Sequence, residues 1–596
     1  MAVSPLDDSD GVIKLTILSE GSEIDDVIPV VSVSINKTIN KVPTAKIILL
    51  DGDMPDGDFP LSNEDTFKPG SEITIKAGYG DSEESVFEGI VIRHGIKITG
   101  DNYSRLVIEC RDKAIAMTVG RNSANYIDSK DSDIISKLVS NHSGLSADVD
   151  ATTTEYKELV QYYSSDWDFM LSRAEVNGLL VTVEAAKLTV KAPQTSETPE
   201  LKVTYGDDLM EFHADVDARN QLSEVSGTSW DPATQAIIEE QVKPQTLNEQ
   251  GDLASTDLAE VLNITSFALQ TPVPLEKGAL KDWATGQQIK SGLSRIRGRM
   301  KFQGSAKAKP GGLIELAGVG NRFNGNVFVS SVKHDISNGN WFTAVEFGMS
   351  PDWFAERRDL VAPPASGLLP GVEGLQVGVV MKLDGDPSSE NKIQVSVPTL
   401  KAETEGVWAR LANVYASNTF GTFFIPEIGD EVILGYLNND PSNPIILGSL
   451  YSSKLAPPYE LTADNYTKAV VTKSKLTVAF DDEKKIITIN TPGNNKVVLS
   501  DDGKSILMQD QNDNKVELSD SGIVLDSPKD ISITAKGKIT IDATGEVGIT
   551  SKADVKGEGM NVSLTANAGF TAKGSATAEV SASGNTTIKG AMVMIN

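Results

Sequence analysis

Hydrophobic positions change their spacing along the chain, and the changes mark its parts. From Lys529 to the end the sequence runs KDISITAK, GKITIDAT, GEVGITSK, ADVKGEGM, NVSLTANA, GFTAKGSA, TAEVSASG, NTTIKGAM, VMIN, a short internal period of about eight residues. Apolar residues stand two apart: Ile531 and Ile533, Ile539 and Ile541, Val547 and Ile549, then, after a one-residue slip, Val562 and Leu564, Phe570 and Ala572, Ala578 and Val580. A spacing of two puts both side chains on one face of a strand, and Gly, Ser, Asn or Lys fills the corners. Two inward side chains per strand, often small ones, make too little core for one chain to close on itself, whereas three chains wound together bury the stripe against one another. The pattern predicts a trimeric β-prism with Ile531, Ile533, Ile539, Ile541, Val547, Ile549, Val562 and Leu564 as its core. Some fifteen strands from about residue 476 onward, at ~4.7 Å each, give a needle of roughly 70 Å.

Upstream, alternation predicts a mainly β protein. Residues 1–120 carry VIKLTIL, VVSVSIN, AKIILL, SEITIKAGY, VFEGIVIRHGIKI and SRLVIECRD, β-branched runs broken by Gly, Asp and Pro, and predict a first β-barrel. Residues 121–199 change to a small α/β insert. There DSDIISKLVSNHSGL and SSDWDFMLSRAEVNGLL each have a cap, an apolar stripe (Ile134, Ile135, Leu138, Val139; Phe169, Met170, Leu171, Ala174) and a closing Gly144 or Gly178. VTVEAAKLTV follows as a hairpin. Residues 200–360 predict a second barrel with one helix near 280–300, and the Pro- and Gly-rich 361–374 a linker. Residues 375–453, five or so short strands with Gly-rich turns, suit a small closed barrel of the oligonucleotide/oligosaccharide-binding type, the OB-fold. A neck, 454–475, leads to the needle, 476–596. Its first part reads KLTVAF, KIITIN, NKVVLS, KSILMQ, NKVELS and GIVLDS between hairpin turns.

Composition narrows the function classes. The net charge of −29 over 596 residues argues against nucleic acid or an anionic membrane reached by long-range attraction. Residues 471–596 hold 14 Lys, no Arg and 16 Asp or Glu, so nearly all the excess acid lies upstream. Cys110 is the only cysteine, which excludes an intrachain disulfide and fits assembly in the cytosol. The opening MAVSPLDDSDGVIKLTILSE lacks the basic and apolar regions of a secretory signal, and no run of 18 apolar residues exists to span a membrane as a helix. All six Trp and every Tyr precede residue 467, as a narrow needle requires.

Candidate chemistry is sparse. The acidic loop 51–58 does not match the ligand spacing of a calcium-binding helix–loop–helix and reads as a solvated turn. Pro426 to Glu431 places two acids in a turn that Pro and Gly shape, and Asp384 and Asp386 read the same way. Cys110 alternates inward as core. None of His94, His142, His213 and His334 has a motif-spaced partner, and there is no phosphate-cradling glycine loop, nucleophile elbow or zinc spacing. The expectation is a protein with no catalytic, cofactor-binding or metal site.

The stretch GVWARLANVYASNTFGTFFIPEIGDEVILGYLNNDPSNPIILGSLY, 406–451, closely resembles the barrel of VgrG-type central spike proteins of contractile injection systems: type VI secretion, extracellular contractile particles, and the phage tail hub and spike. Its marks are Trp408, Phe424, Pro426, Gly429, Asp430, Glu431, Val432, Gly435, Pro441, Pro444, Ile446, Leu447 and Gly448. YYSSDWDFMLSRAEVNGLLV resembles the insert of the hub, and the order of hub, barrel and octad needle matches. The resemblance implies a homotrimer whose two hub barrels per chain make six around the axis, so that a threefold spike seats on a sixfold inner tube. It also implies baseplate wedge proteins as neighbours, and a PAAR-type tip protein on Met592, Val593, Met594 and Ile595 with room for effector cargo. The target-cell membrane is met on firing, after which the assembled particle has expelled its spike. The alternative is a trimeric tail fibre or adhesin that binds glycans, which needs a receptor-binding head after the prism. A lyase on a β-prism needs His, Tyr and Arg along the needle, which the last 126 residues lack.

Overall fold

A computed structural model describes residues 2–7, 9–100, 103–231, 236–245, 247–264, 266–271, 275–356, 372–398 and 406–595. The expected linker 361–374 lies outside the described residues up to 371. The chain divides into two units, one holding residues 1–428 and 432–448, the other 429–431 and 449–596.

In the first unit the alternating runs become strands as expected. In Thr44–Leu50, for example, Ala45, Ile47 and Leu49 are buried and Lys46 is exposed, the period of two that a half-buried strand requires. Strands of the first 120 residues and six of those between Leu201 and Phe347 belong to one 13-stranded sheet, while Val225–Asp231, Ala236–Val242 and Phe267–Thr271 form a three-stranded sheet of their own. The join is the antiparallel pairing of Gly325–Ser337 with Val30–Thr38, in register from Ser331 opposite Thr38 to Ser337 opposite Ser32. Two cores sit on this sheet. One gathers Ile35, Ile47, Leu49, Phe67, Ile75, Leu106, Ile108 and Cys110, the other Met300, Phe302, Val327, Val329, Val345 and Phe347. Each such side chain stabilises the fold by about 1.5–3 kcal/mol relative to exposure.

The insert holds two helices, Asp131–Ser140 and Asp166–Val176. Ile134, Ile135, Leu138 and Val139 are buried on the first. The Ser165 hydroxyl caps the second by accepting from the Asp168 amide at 3.1 Å, and Met170, Leu171 and Ala174 are buried while Phe169 is half-buried. Asp131, with no exposed side-chain surface, accepts from Arg173 Nε at 2.7 Å, Arg173 Nη2 at 2.9 Å and Asn177 Nδ2 at 2.7 Å, tying the helices together. The helix expected over 280–300 is Lys277–Leu293, and Ile296–Gln303 is a strand. Ile296, Met300 and Phe302 there point into the second core, so packing on the sheet overrides local helical preference. Lys290 of that helix bonds Glu175 of the insert, both buried, and Glu175 Oε2 also accepts from the Phe354 amide at 2.6 Å.

Five strands close a barrel in the order Gln376–Lys382, Ile393–Ser396, Val407–Leu411, Pro444–Ser449, Glu431–Tyr436. Val380, Ile393, Val395, Ala409, Val432, Leu434 and Ile446 fill it. Asp386 organises the first hairpin by accepting from the amides of Ser388 at 2.9 Å, Glu390 at 2.6 Å and Lys392 at 3.1 Å. Desolvation pushes its pKa up, but these bonds and the one from the Ser388 hydroxyl outweigh it and hold the carboxyl well below the usual range.

The second unit contains a seven-stranded antiparallel meander, each strand five residues long and each paired with the next: Thr467–Val471, Thr477–Asp481, Ile486–Asn490, Lys496–Ser500, Ser505–Gln509, Lys515–Ser519 and Gly522–Asp526. Its turns place Lys475, Lys485, Asn494, Lys504 and Asp513 at positive φ. In one of them Asp510 accepts from the amides of Asn512 at 2.8 Å and Asn514 at 2.9 Å, and the Asn514 side chain leads in holding its pKa down to about 2. One expectation needs correcting: the sheet begins at Thr467, inside the stretch read as a neck, because Val470 and Val478 pair across the 472–476 turn. Within the single chain, among the described residues, none after Asp526 belongs to a strand.

Candidate functional site

The meander of the second unit carries an organised apolar surface. Antiparallel register sets Val470 opposite Val478, Ile487 opposite Phe480 and Leu499, Ile489 opposite Val478 and Val497. The ladder continues through Ile506 opposite Leu499 and Leu518, Met508 opposite Val497 and Val516, then Ile523 and Leu525 opposite Leu518 and Val516. One face thus presents two apolar side chains per strand, Lys468 excepted. The other face mixes Val471, Ala479, Ile486, Val498, Leu507 and Val524 with Thr477, Asp481, Thr488, Asn490, Lys496, Gln509, Lys515 and Glu517. Cross-strand apolar pairs stabilise such a sheet, yet the apolar face stays open in the single chain: Phe480 is 42% exposed, Ile489 46% and Met508 50%. A cavity of about 710 Å³ runs over it, lined by Ile489, Val497, Met508, Val516, Leu525 and Ile531 among others.

The stripe continues into the octads and is barer there. The eight expected core residues, Ile531, Ile533, Ile539, Ile541, Val547, Ile549, Val562 and Leu564, lie between 52% and 76% exposed. Met592, Val593, Met594 and Ile595 are exposed as well. The single chain therefore brings none of these residues into a core. A peptide group left without partner or water is costly, and extended backbone with an alternating apolar face is the form that completes itself by adding strands.

The barrel residues are dispersed in role. Trp408 stands half-buried in Val407–Leu411 opposite Gln394. Pro426 is buried, Gly429 turns the chain at φ +93°, Glu431 opens its strand and Gly448 lies in Pro444–Ser449. Between two of these strands runs an arm that sequence reasoning missed. Val414, Tyr415, Phe420, Phe423, Phe424 and Ile428 on it are all more than half exposed. It is held as a tight hairpin by Thr422 N donating to Tyr415 O at 2.8 Å and Ser417 N to Phe420 O at 2.9 Å. Its signal was the Phe-Phe pair among small residues, which lacks the alternation of a strand.

Elsewhere the titratable groups act as structure. Cys110 is buried, and burial pushes its thiol up to about 12. Asp51 of the acidic loop accepts from the Leu61 and Ser62 amides at 3.1 and 2.9 Å. His334 is buried, its pKa driven down to about 3 by desolvation. His94 bonds Ser62 Oγ at 2.8 Å and the Phe67 carbonyl at 2.9 Å. Among the described residues no cluster of three or more His, Cys, Asp or Glu is placed to hold a metal ion.

Comparison with known proteins bears out the resemblance drawn from the barrel motif. Residues 376–451 match the type VI secretion system/phage-baseplate injector OB domain, and residues 9–338 match the Alg8 N-terminal domain. The spike protein VgrG3 of the Vibrio cholerae type VI secretion system is 32% identical over 109 residues, 17% of this chain and 11% of the relative. VgrG1a of Pseudomonas aeruginosa is 40% identical over 62 residues, 10% of each. The match thus spans about a tenth of the length of these curated relatives. A 43 kDa tail protein of prophage MuSo2 from Shewanella oneidensis aligns with 57% of this chain and 98% of its own at a TM-score of 0.43 and 10% identity. With one model covering more than half of its sequence, the chain belongs to the family of the Alg8 N-terminal domain, and behind that domain it carries the injector OB domain found in type VI secretion systems and phage baseplates.

Proposed function

We propose that three copies of this chain form the central spike of a contractile injection machine. The observation that carries this is the state of residues 529–595: pairs of apolar residues two apart recur with the octad, each half or more exposed, with no strand pairing inside the chain. Three copies give each octad strand neighbours above and below and turn the stripe inward, which leaves no free sheet edge along the needle. Domain order supports the rest. Residues 1–360 serve as the hub that meets the sixfold inner tube and the wedge proteins, 375–453 as the barrel, and 476–596 as the membrane-puncturing needle. Met592, Val593, Met594 and Ile595 receive a PAAR-type tip protein, with effector cargo attached where the machine carries one. The spike works by shape and stiffness and catalyses nothing; sheath contraction supplies the energy. It assembles in the cytoplasm and is expelled on firing. Sedimentation equilibrium of the full chain is the test. Three times the chain mass is expected, with a rod in electron micrographs. A monomer whose octad amides resist hydrogen exchange would overturn the proposal.

A further inference from the structure

The chain changes at residue 526 from a paired meander to octads with no strand pairing of their own, and we propose that the first is the seed on which the second forms: the apolar face of the meander 467–526 docks on the same face of two further copies, and only then do the octads pair. This rests on the trimer reading and adds an order of assembly and a specific docking face to it. Every strand of the meander already has its ladder partner within its own chain, so three copies meet as preformed sheets and lose little further backbone freedom. The octads have no intrachain ladder, and each of their strands must be ordered at the moment it pairs. Forming a first octad layer from three loose ribbons therefore resembles a costly nucleus, while adding a layer to a closed one resembles propagation. The occupant of the meander face is a second copy rather than an unrelated protein. The face has two apolar positions per strand, as do the octads that follow, and it runs directly into the Ile531 stripe along the cavity that Ile489, Met508 and Ile531 share. Its near absence of charge also suits self-association by a chain of net charge −29.

Three full-length variants test this. Leu499→Asp places a charge on the apolar face, Thr488→Asp on the mixed face, and Ile541→Asp in the octad stripe. Mass is read by sedimentation and protection by hydrogen exchange. Tryptophan fluorescence reports separately whether the head is folded, since all six Trp precede the meander. Leu499→Asp should sediment as a monomer with a folded head and unprotected octads. Thr488→Asp should stay at the parent's mass. Ile541→Asp should also stay at that mass, with 467–526 protected and protection lost only around and beyond residue 541. A monomeric Ile541→Asp, a Leu499→Asp with protected octads, or a Thr488→Asp that dissociates overturns the seeding order while leaving the trimer intact as a reading. A monomeric parent overturns the trimer reading itself.

Discussion

Asp131 has no exposed side-chain surface and takes three hydrogen bonds from Arg173 and Asn177, so its loss should be costly to the insert. Removing one partner of a buried ion pair strands the other. Asp131→Ala should destabilise by about 3–5 kcal/mol, seen as a lower urea midpoint with the slope unchanged. Asp166 gives a pH dependence. Burial raises its pKa, but bonds from Asn122 at 2.9 Å, Gln161 at 2.8 Å and His142 at 2.9 Å lower it by more, so the net shift is downward. A depressed folded value means that the stabilisation is complete above the ordinary Asp pKa of about 4 and is lost as pH falls through the folded value. Stability should fall on acidification below about pH 4, and Asp166→Asn should flatten that limb of a pH–melting profile. Cys110 is the only thiol, and its burial keeps it from forming thiolate. A thiol reagent should leave the native protein unlabelled and react on unfolding, so labelling without denaturant would contradict its place in the first core.

At the scale of elements, local pattern and long-range packing divided the information. The insert helices were legible from their apolar stripes, and in the second Ser165 and Gly178 do what their positions imply; the Asp or Ser cap expected for the first is absent, Lys130 holding its N-cap position without a side-chain bond while Asp131 turns to Arg173 instead. The strand Ile296–Gln303 was not, because Arg, Gly and Met favour no strand alone; its alternation takes meaning only from Ala214 and Val345 packing beside it. The pairing of Val30–Thr38 with Gly325–Ser337 joins segments three hundred residues apart in sequence, a distance at which periodicity is silent. The hairpin between Leu180–Glu184 and Lys187–Lys191 shows a different mismatch. Its two turn residues, Ala185 and Ala186, lie at φ +49° and +63°, a pair of conformations that favours Asn-Gly. Ala186→Gly keeps the amide that donates to Asp112 at 3.0 Å and relieves about 1–2 kcal/mol of left-handed strain, more than the chain entropy that glycine adds, so a higher melting temperature of the head is expected.

For the whole molecule, the eight-residue repeat was plain in the sequence, but the point at which pairing within the chain stops was not. Alternation looks the same in Ile486–Asn490, which pairs within its chain, and in 531–533, which does not. What differs is the connection: the meander has tight turns at positive φ that reverse the chain, such as Asn494 and Lys504, whereas no described residue from 529 to 595 lies at positive φ. The same difference governs how the protein must be made. On the trimer reading proposed above, a chain fresh from the ribosome would carry a finished head and a bare, greasy ribbon, prey to proteases and to clumping until two sisters arrive. Yield should then climb steeply with local abundance, and neighbouring ribosomes on a single message would be the natural matchmakers.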